Sequence, residues 1–292
     1  MNLNKSIRGK IGMSFIQSLI YGFPSVFWIL LAVAAVASAV GFIKYVYFIG
    51  AGYGFSVAGI GLALLVVYGQ YLTVFNAVQL VLLMVYGIRL GAFILLRDTR
   101  SLSYRREQTG NGTRKTIPVP VILGTWIMCA LMYTTMTAPV TYRLVNRLVF
   151  GTKAGSGITA WAGAGIMAAA ILLEALADYQ KSAAKKTYPT HFCQTGLYRI
   201  VRCPNYFAEL LFWSGLFLSG IRIYVGAVQW TIAILEYLFI IYVMFSGTKR
   251  LERHQDARYG SDPSYRAYIK KTPILIPLIP IRSLKNWKFI KP

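Results

Sequence analysis

An all-α, polytopic membrane bundle of about seven transmembrane helices is the fold class this chain predicts, on three observations. Hydrophobic residues fill 56% of its 292 positions, and mean hydropathy is +0.53. Charged residues account for only 14%, against roughly 25% in soluble domains. The apolar residues also gather into runs, and about 20 predominantly apolar residues are what a helix needs to cross a bilayer.

The expected spans, in order, are Phe23–Ile43, Tyr45–Tyr68, Tyr71–Leu96, Val119–Pro139, Ile158–Ala177, Tyr206–Ile221 and Tyr224–Phe245. Nothing at the start resembles a cleavable signal, so the first span is expected to stay in place. The second carries Gly50, Gly52, Gly54, Gly59 and Gly61, a pattern that reads as close helix packing through small residues. The tight gap at Gly69-Gln70 makes spans two and three an antiparallel hairpin. The sixth span is short enough to be tilted, sunken or interfacial. The tail from Tyr265 to Pro277 is expected to lie along the surface.

Net charge is +22. In a soluble chain this would point to nucleic acid; between membrane spans it reads as topology and contact with anionic headgroups, with no nucleic-acid partner. Seven Lys and Arg residues fall on the N-terminal side and twenty-three on the other, with Arg89 inside the third span. The basic excess marks the cytoplasmic side. Seven spans then place the N-terminus outside and the C-terminus in the cytoplasm. A multi-pass protein of the endoplasmic reticulum is expected in a eukaryote, and one of the inner membrane in a bacterium. Cys129, Cys193 and Cys203 show neither a CxxC pair nor metal spacing, and His191 and His254 are too few for a histidine metal site.

The chemistry concentrates near the C-terminus, in Thr195-Gly-Leu-Tyr198-Arg199-Ile-Val-Arg202-Cys203-Pro204-Asn205-Tyr206-Phe-Ala-Glu209. Ionic groups beside the apolar run Leu210 to Ile221 are costly unless they have partners or ligands. Pro204 suits a first helical turn, with Asn205 to Ser219 as the helix. A helix N-terminus beside arginines suits an anion, and the guanidiniums of Arg199 and Arg202 match phosphate geometry. Upstream, Glu174 and Asp178 stand at i and i+4 on one helix face. They read either as ligand acceptors or as carboxylates neutralised by Lys181 and Lys185. Tyr198 and Tyr206 offer ring and hydroxyl, or belong to an interfacial aromatic belt. Tyr86 and Arg89 share a face of the third span. Arg97, Asp98, Arg100, Arg105 and Arg106 form a basic loop, either a topology anchor or a phosphate contact. Arg250, Glu252 and Arg253 follow the last span and stand ready to close over a ligand. No GxGxxG follows a strand, so a dinucleotide would bind between helices rather than on a sheet.

Gly-Leu-Tyr-Arg followed by Arg-x-Pro-Asn-Tyr-x-x-Glu resembles the C-terminal signature of the steroid 5-alpha-reductase superfamily, in its membrane reductase-like branch. The Glu174-Ala-Leu-Ala-Asp178-Tyr-Gln-Lys181 run resembles that family's helix ending in Asp-x-Gln-Lys. Tyr265-x-x-Tyr268, Thr272-Pro273 and Ile276-Pro277 resemble its closing motif. Where the family has His before the Pro, this chain has Cys203.

The resemblance implies one integral membrane domain in two halves: residues 1–140 on the substrate side and 141–292 reductase-like and cofactor-binding. It implies NADPH held by Arg89, Glu174, Asp178, Tyr198, Arg199, Arg202, Asn205, Tyr206, Glu209 and Arg250. It implies Tyr86 as the catalytic proton donor, and a lipid or steroid-like enone or enal as substrate, reduced at its conjugated C=C bond. The steroid enzymes pair that tyrosine with a glutamate in the second span. No acidic residue occurs there in this chain, and Gln70 is the nearest polar candidate. Two alternatives stay open. The isoprenylcysteine carboxyl methyltransferases have a similar signature and bind S-adenosylmethionine. A non-catalytic lipid-binding protein is the other.

Overall fold

The computed structural model describes residues 15–100, 117–151 and 157–291, and among these it is helical, with no strand. Lys5, Arg8, Lys10, Arg105, Arg106, Arg114, Lys115 and Lys153, which enter the charge count, lie outside the described residues. The α-helices are α1 (Phe15–Gly22), α2 (Val26–Ser38), α3 (Ala51–Tyr68), α4 (Val74–Arg100), α5 (Val119–Met136), α6 (Ala138–Phe150), α7 (Ile158–Thr187), α8 (Leu197–Ile200), α9 (Pro204–Gly220), α10 (Gly226–Tyr259) and α11 (Pro263–Lys271).

Among the described residues, six stretches are long and apolar enough to cross a membrane: Ile16–Phe42, Tyr45–Tyr71, Val74–Thr99, Val119–Met136, Ile158–Thr187 and Gly226–Tyr259. Their outward faces keep large apolar side chains exposed, among them Trp28, Val36, Val66 and Leu172. Lipid tails solvate such a surface and water does not. The expected sixth span is present as α9, but at 17 residues it is shorter than these six. The first span begins earlier than the apolar run because α1 precedes it. Pro24 breaks the helix between α1 and α2, since it lacks an N–H and disfavours helical backbone in the residue before it. Helical pairing restarts with the Phe27 N–H donating to the Pro24 carbonyl. Two stretches expected as loops are helical. Arg97 and Asp98 end α4, and Arg143 and Arg147 lie on α6.

The chain divides into two compact units. The first comprises Met1–Trp161 and Ser219–Glu236. Here α3 and α4 touch backbone to backbone. A β-carbon on Gly54 would stand 2.6 Å from the Gly87 carbonyl oxygen, and one on Gly87 would stand 2.3 Å from that of Gly54. The glycine-rich run is therefore a packing seam, as the sequence predicts. Ser56 on α3 donates to the Ala34 carbonyl at 3.1 Å, and Trp126 on α5 donates to that of Ala35 at 2.8 Å. These bonds tie both helices to α2 around Leu30, Ala34 and Ile60, which are buried.

The second unit comprises Ala162–Leu218 and Tyr237–Pro292. It contains most of α7 and α9, the C-terminal part of α10, and α8, α11 and the tail. Helices α7 and α9 close on Gly215, whose absent side chain lets the Gly163 carbonyl approach. Phe192 stacks on Tyr268 and meets Tyr265 edge-on, seating α11. Buried Lys249 on α10 donates to the carbonyls of Trp287 and Ile290, each at 2.9 Å, and so holds the tail.

Candidate functional site

In the second unit, α7 and α9 bring the motif residues together. Asp178 on α7 accepts from the Asn205 amide nitrogen on α9. The Asn205 amide oxygen accepts from the Tyr198 hydroxyl at 2.8 Å. That hydroxyl also lies 3.4 Å from the Ala177 carbonyl. Phenol, amide and carboxylate thus form one chain. It fixes which end of the Asn205 amide points each way and leaves one N–H and one lone pair to present. Glu174, one turn before Asp178, is 3% exposed, and Glu209, one turn after Asn205, is 6% exposed. Glu209 accepts from the Trp213 indole N–H at 3.2 Å. Three carboxylates buried on two helices of an apolar bundle are expensive, which is the usual mark of a functional place. Burial first, and the Asp178 charge second, push the Tyr198 phenol above its ordinary range. It therefore stays protonated and donating.

The remaining motif residues have other surroundings. Arg199 and Arg250 are exposed, and neither guanidinium makes a hydrogen bond or ion pair among the described residues. Tyr206 is half-buried and packs at Gly247 of α10. Arg202 is 2% exposed and ties the tail. Its guanidinium donates to the Arg282 carbonyl at 3.0 Å and to the Tyr265 hydroxyl at 3.3 Å, and it stands 3.7 Å from a Glu252 carboxylate oxygen. Glu252 also accepts from the Leu284 N–H at 2.9 Å. Asp256 accepts from Tyr265 at 2.8 Å and pairs with Lys285. A cavity of about 390 Å³ lies beside this clamp, walled by Glu252, Ile269, Lys270, Arg282, Ser283 and Lys285. Of the residues singled out after the last span, Glu252 lines it, and none of the expected NADPH-binding residues does.

Two roles were not read from the sequence. Gln180, inside the Asp-x-Gln-Lys run, accepts from the Leu197 N–H at 2.8 Å. It lies so close to Gly196 that a β-carbon there would stand 2.4 Å from its oxygen. Gly196 has φ +60°, so a side chain there is excluded twice, by strain and by Gln180. The pair closes the turn that delivers Tyr198. In the first unit, Tyr86 is fully buried, and its hydroxyl shares a 2.7 Å hydrogen bond with that of Tyr53. The polar partner sought in the second span is Tyr53, whereas Gln70 is exposed at the end of that span. Searching that span for a carboxylate passes over a tyrosine that can both donate and accept. Arg89, one turn on from Tyr86, is half-buried.

Cys203 stands immediately before Pro204, at the start of α9. It is fully enclosed, and burial pushes its thiol up to about 12 against the opposing pull of Arg202 and Lys181. Only the thiolate is a good nucleophile. A maleimide at pH 7.5 is therefore expected to label partly exposed Cys193 in the native protein, and to label Cys203 and buried Cys129 only after unfolding. Mass mapping of the adducts checks this. Native-state labelling of Cys203 at the rate of Cys193 would mean that the turn before α9 is open to solvent.

No curated protein and no solved structure matches the chain. A family model described as "Protein of unknown function (DUF1295)" matches residues 27–272. That stretch takes in the six apolar spans apart from the start of the first, the carboxylate–amide–phenol chain and α11. The chain therefore belongs to the DUF1295 family and is a multi-pass membrane protein of it.

Proposed function

We propose that this protein is a membrane-embedded, NADPH-dependent reductase of a conjugated C=C bond in a lipid or steroid-like enone or enal. The observation that carries the reading is the buried run Tyr198–Asn205–Asp178 flanked by Glu174 and Glu209. NADPH offers ribose hydroxyls and a carboxamide, which need acceptors and a paired donor, together with phosphates that need cations. The donor set fits. Asp178, Glu174 and Glu209 are acceptors, Asn205 presents one N–H and one lone pair, and the exposed guanidiniums of Arg199 and Arg250 are uncommitted. Tyr206 adds a ring face beside Asn205. Arg202 contributes here by holding the backbone before Pro204 while its guanidinium is engaged with the tail.

When bound, NADPH supplies a hydride to the β-carbon of the substrate. The protein's own part is placement and proton handling. Tyr86 hydrogen-bonds the substrate carbonyl and so stabilises the charge that develops on its oxygen. Tyr53, hydrogen-bonded to Tyr86, orients the phenol and can relay a proton to it. The apolar helices around the phenols exclude water, which strengthens both contacts. A lipid substrate reaches such a site from the bilayer, and the basic C-terminal side faces the cytosol, where NADPH is found.

The test is a thermal-stability titration of purified protein with NADPH and with S-adenosylmethionine, since a ligand that binds only the native state raises the melting temperature. The expected result is a saturable rise with NADPH alone. In Asn205→Ala the NADPH dissociation constant is expected to rise about 5- to 150-fold, as for loss of one hydrogen bond worth about 1–3 kcal/mol. A rise with S-adenosylmethionine alone would replace this reading with the methyltransferase. No rise with either would leave a non-catalytic lipid-binding role.

A further inference from the structure

A second buried polar group lies in the first unit, at the opposite end of α4 from Asp98, and the reductase reading does not use it. Asn76 and Gln79 stand one turn apart on α4, 1% and 0% exposed. Among the described residues, neither side-chain polar atom of Asn76 has a hydrogen-bond partner, and the Gln79 amide oxygen has none either. The Gln79 amide nitrogen donates to the Ser219 hydroxyl at 2.6 Å. Arg143 on α6, 1% exposed, reaches the same residue and donates to the Ser219 carbonyl. Its guanidinium lies 4.6 Å from the centre of the Phe75 ring, next to Asn76. Gln79 and Arg143 therefore converge on Ser219 from two helices, and Asn76 stands one turn before Gln79 on α4.

The neighbouring amides show what a purely structural pair looks like in this protein. Asn146 donates to the Ile223 carbonyl and to Gln229, both at 2.8 Å. Gln229 in turn donates to the Tyr21 carbonyl at 2.9 Å and to Asn146 at 3.1 Å, and accepts from the Val225 N–H at 2.8 Å. Every side-chain polar atom of that pair is engaged. Asn76 is the reverse case, and an amide fully buried with nothing to bond calls for a water, an ion or a ligand. Arg143 brings a cation to this group, because burial lowers it only to about 10 and it stays charged at neutral pH. Amides suit an anion well, since either can turn its NH₂ inward.

We propose that Asn76, Gln79 and Arg143 form a buried binding site for a small monovalent anion, either a halide or the carboxylate head of a fatty acid. The experiment uses the full chain in neutral detergent, in a buffer whose only other anion is a bulky sulfonate. Bromide and octanoate are titrated separately against melting temperature. A saturable rise is expected with at least one of them. Saturation by bromide identifies a halide site and saturation by octanoate a carboxylate site. The Asn76→Leu variant is expected to weaken that anion at least about fivefold, the size of one lost buried hydrogen bond. A crystal grown with bromide should carry an anomalous peak between the three side chains if the site takes halide, whether or not the variant folds. No saturable rise with either anion would overturn the proposal, as would an equal rise in Asn76→Leu. The NADPH titration is a separate measurement on the other unit, so either result can fail without the other.

Discussion

Replacing Arg202 by Met is expected to lower the stability of the second unit by about 3–5 kcal/mol, the usual cost of removing one partner from a buried ion pair. Glu252 is 2% exposed and would lose its cation while remaining in place, held by the Leu284 N–H. The Arg282 carbonyl and the Tyr265 hydroxyl would each lose a donor. The loss should appear as a lower melting temperature in detergent and as faster proteolysis after Arg282. The double variant Arg202→Met, Glu252→Gln should cost less than the two single changes added together, because it no longer leaves a buried carboxylate uncompensated. Strictly additive costs, or unchanged cleavage of the tail, would show that something other than this pair holds the C-terminus.

Gly87→Leu is the second large effect. Even a lone β-carbon at Gly87 would meet the Gly54 carbonyl oxygen at 2.3 Å and the Ala58 nitrogen at 2.6 Å. Both obstacles are backbone, so no rotamer change relieves the clash and α3 must move away from α4. The cost is expected at or above the upper end of the about 1–3 kcal/mol typical of overpacking. Separation of the two helices should also break the 2.7 Å bond between Tyr53 and Tyr86. Gly124→Ala is the matched control, because nothing lies within 4 Å of a β-carbon there. Its melting temperature should stay level or rise slightly, as glycine is a weaker helix former than alanine. Equal behaviour of the two variants would dispose of the glycine seam.

Much of the architecture is legible in the residue order, for a simple reason. A bilayer imposes one length and one polarity on whatever crosses it, so Val119–Met136 and Ile158–Thr187 announce themselves without reference to other segments. The backbone rule at Pro204 is equally local. So is the i, i+4 spacing that sets Glu174 with Asp178, and Asn205 with Glu209, on common helix faces. Helix α6 escaped this reading because Arg143, Asn146 and Arg147 give it the composition of a loop. It is a buried helix only because Ser219, Ile223 and Gln229, more than 70 positions along the chain, accept or return its hydrogen bonds.

Arg199 and Arg202 show the same limit at the candidate site. They are three residues apart and chemically identical, and a guanidinium fork suits a phosphate as readily as a carbonyl beside a carboxylate. Which arginine stays free and which becomes the tail's anchor depends on where Glu252, Tyr265 and Arg282 arrive, and no local spacing encodes that. The partner of Tyr86 is a further case, since a tyrosine among glycines carries no charge to draw attention. Solvent preference along one helix can be summed from the residues in that helix. Hydrogen-bond pairing between distant segments depends on coordinates, and it emerges only once the chain has closed on itself.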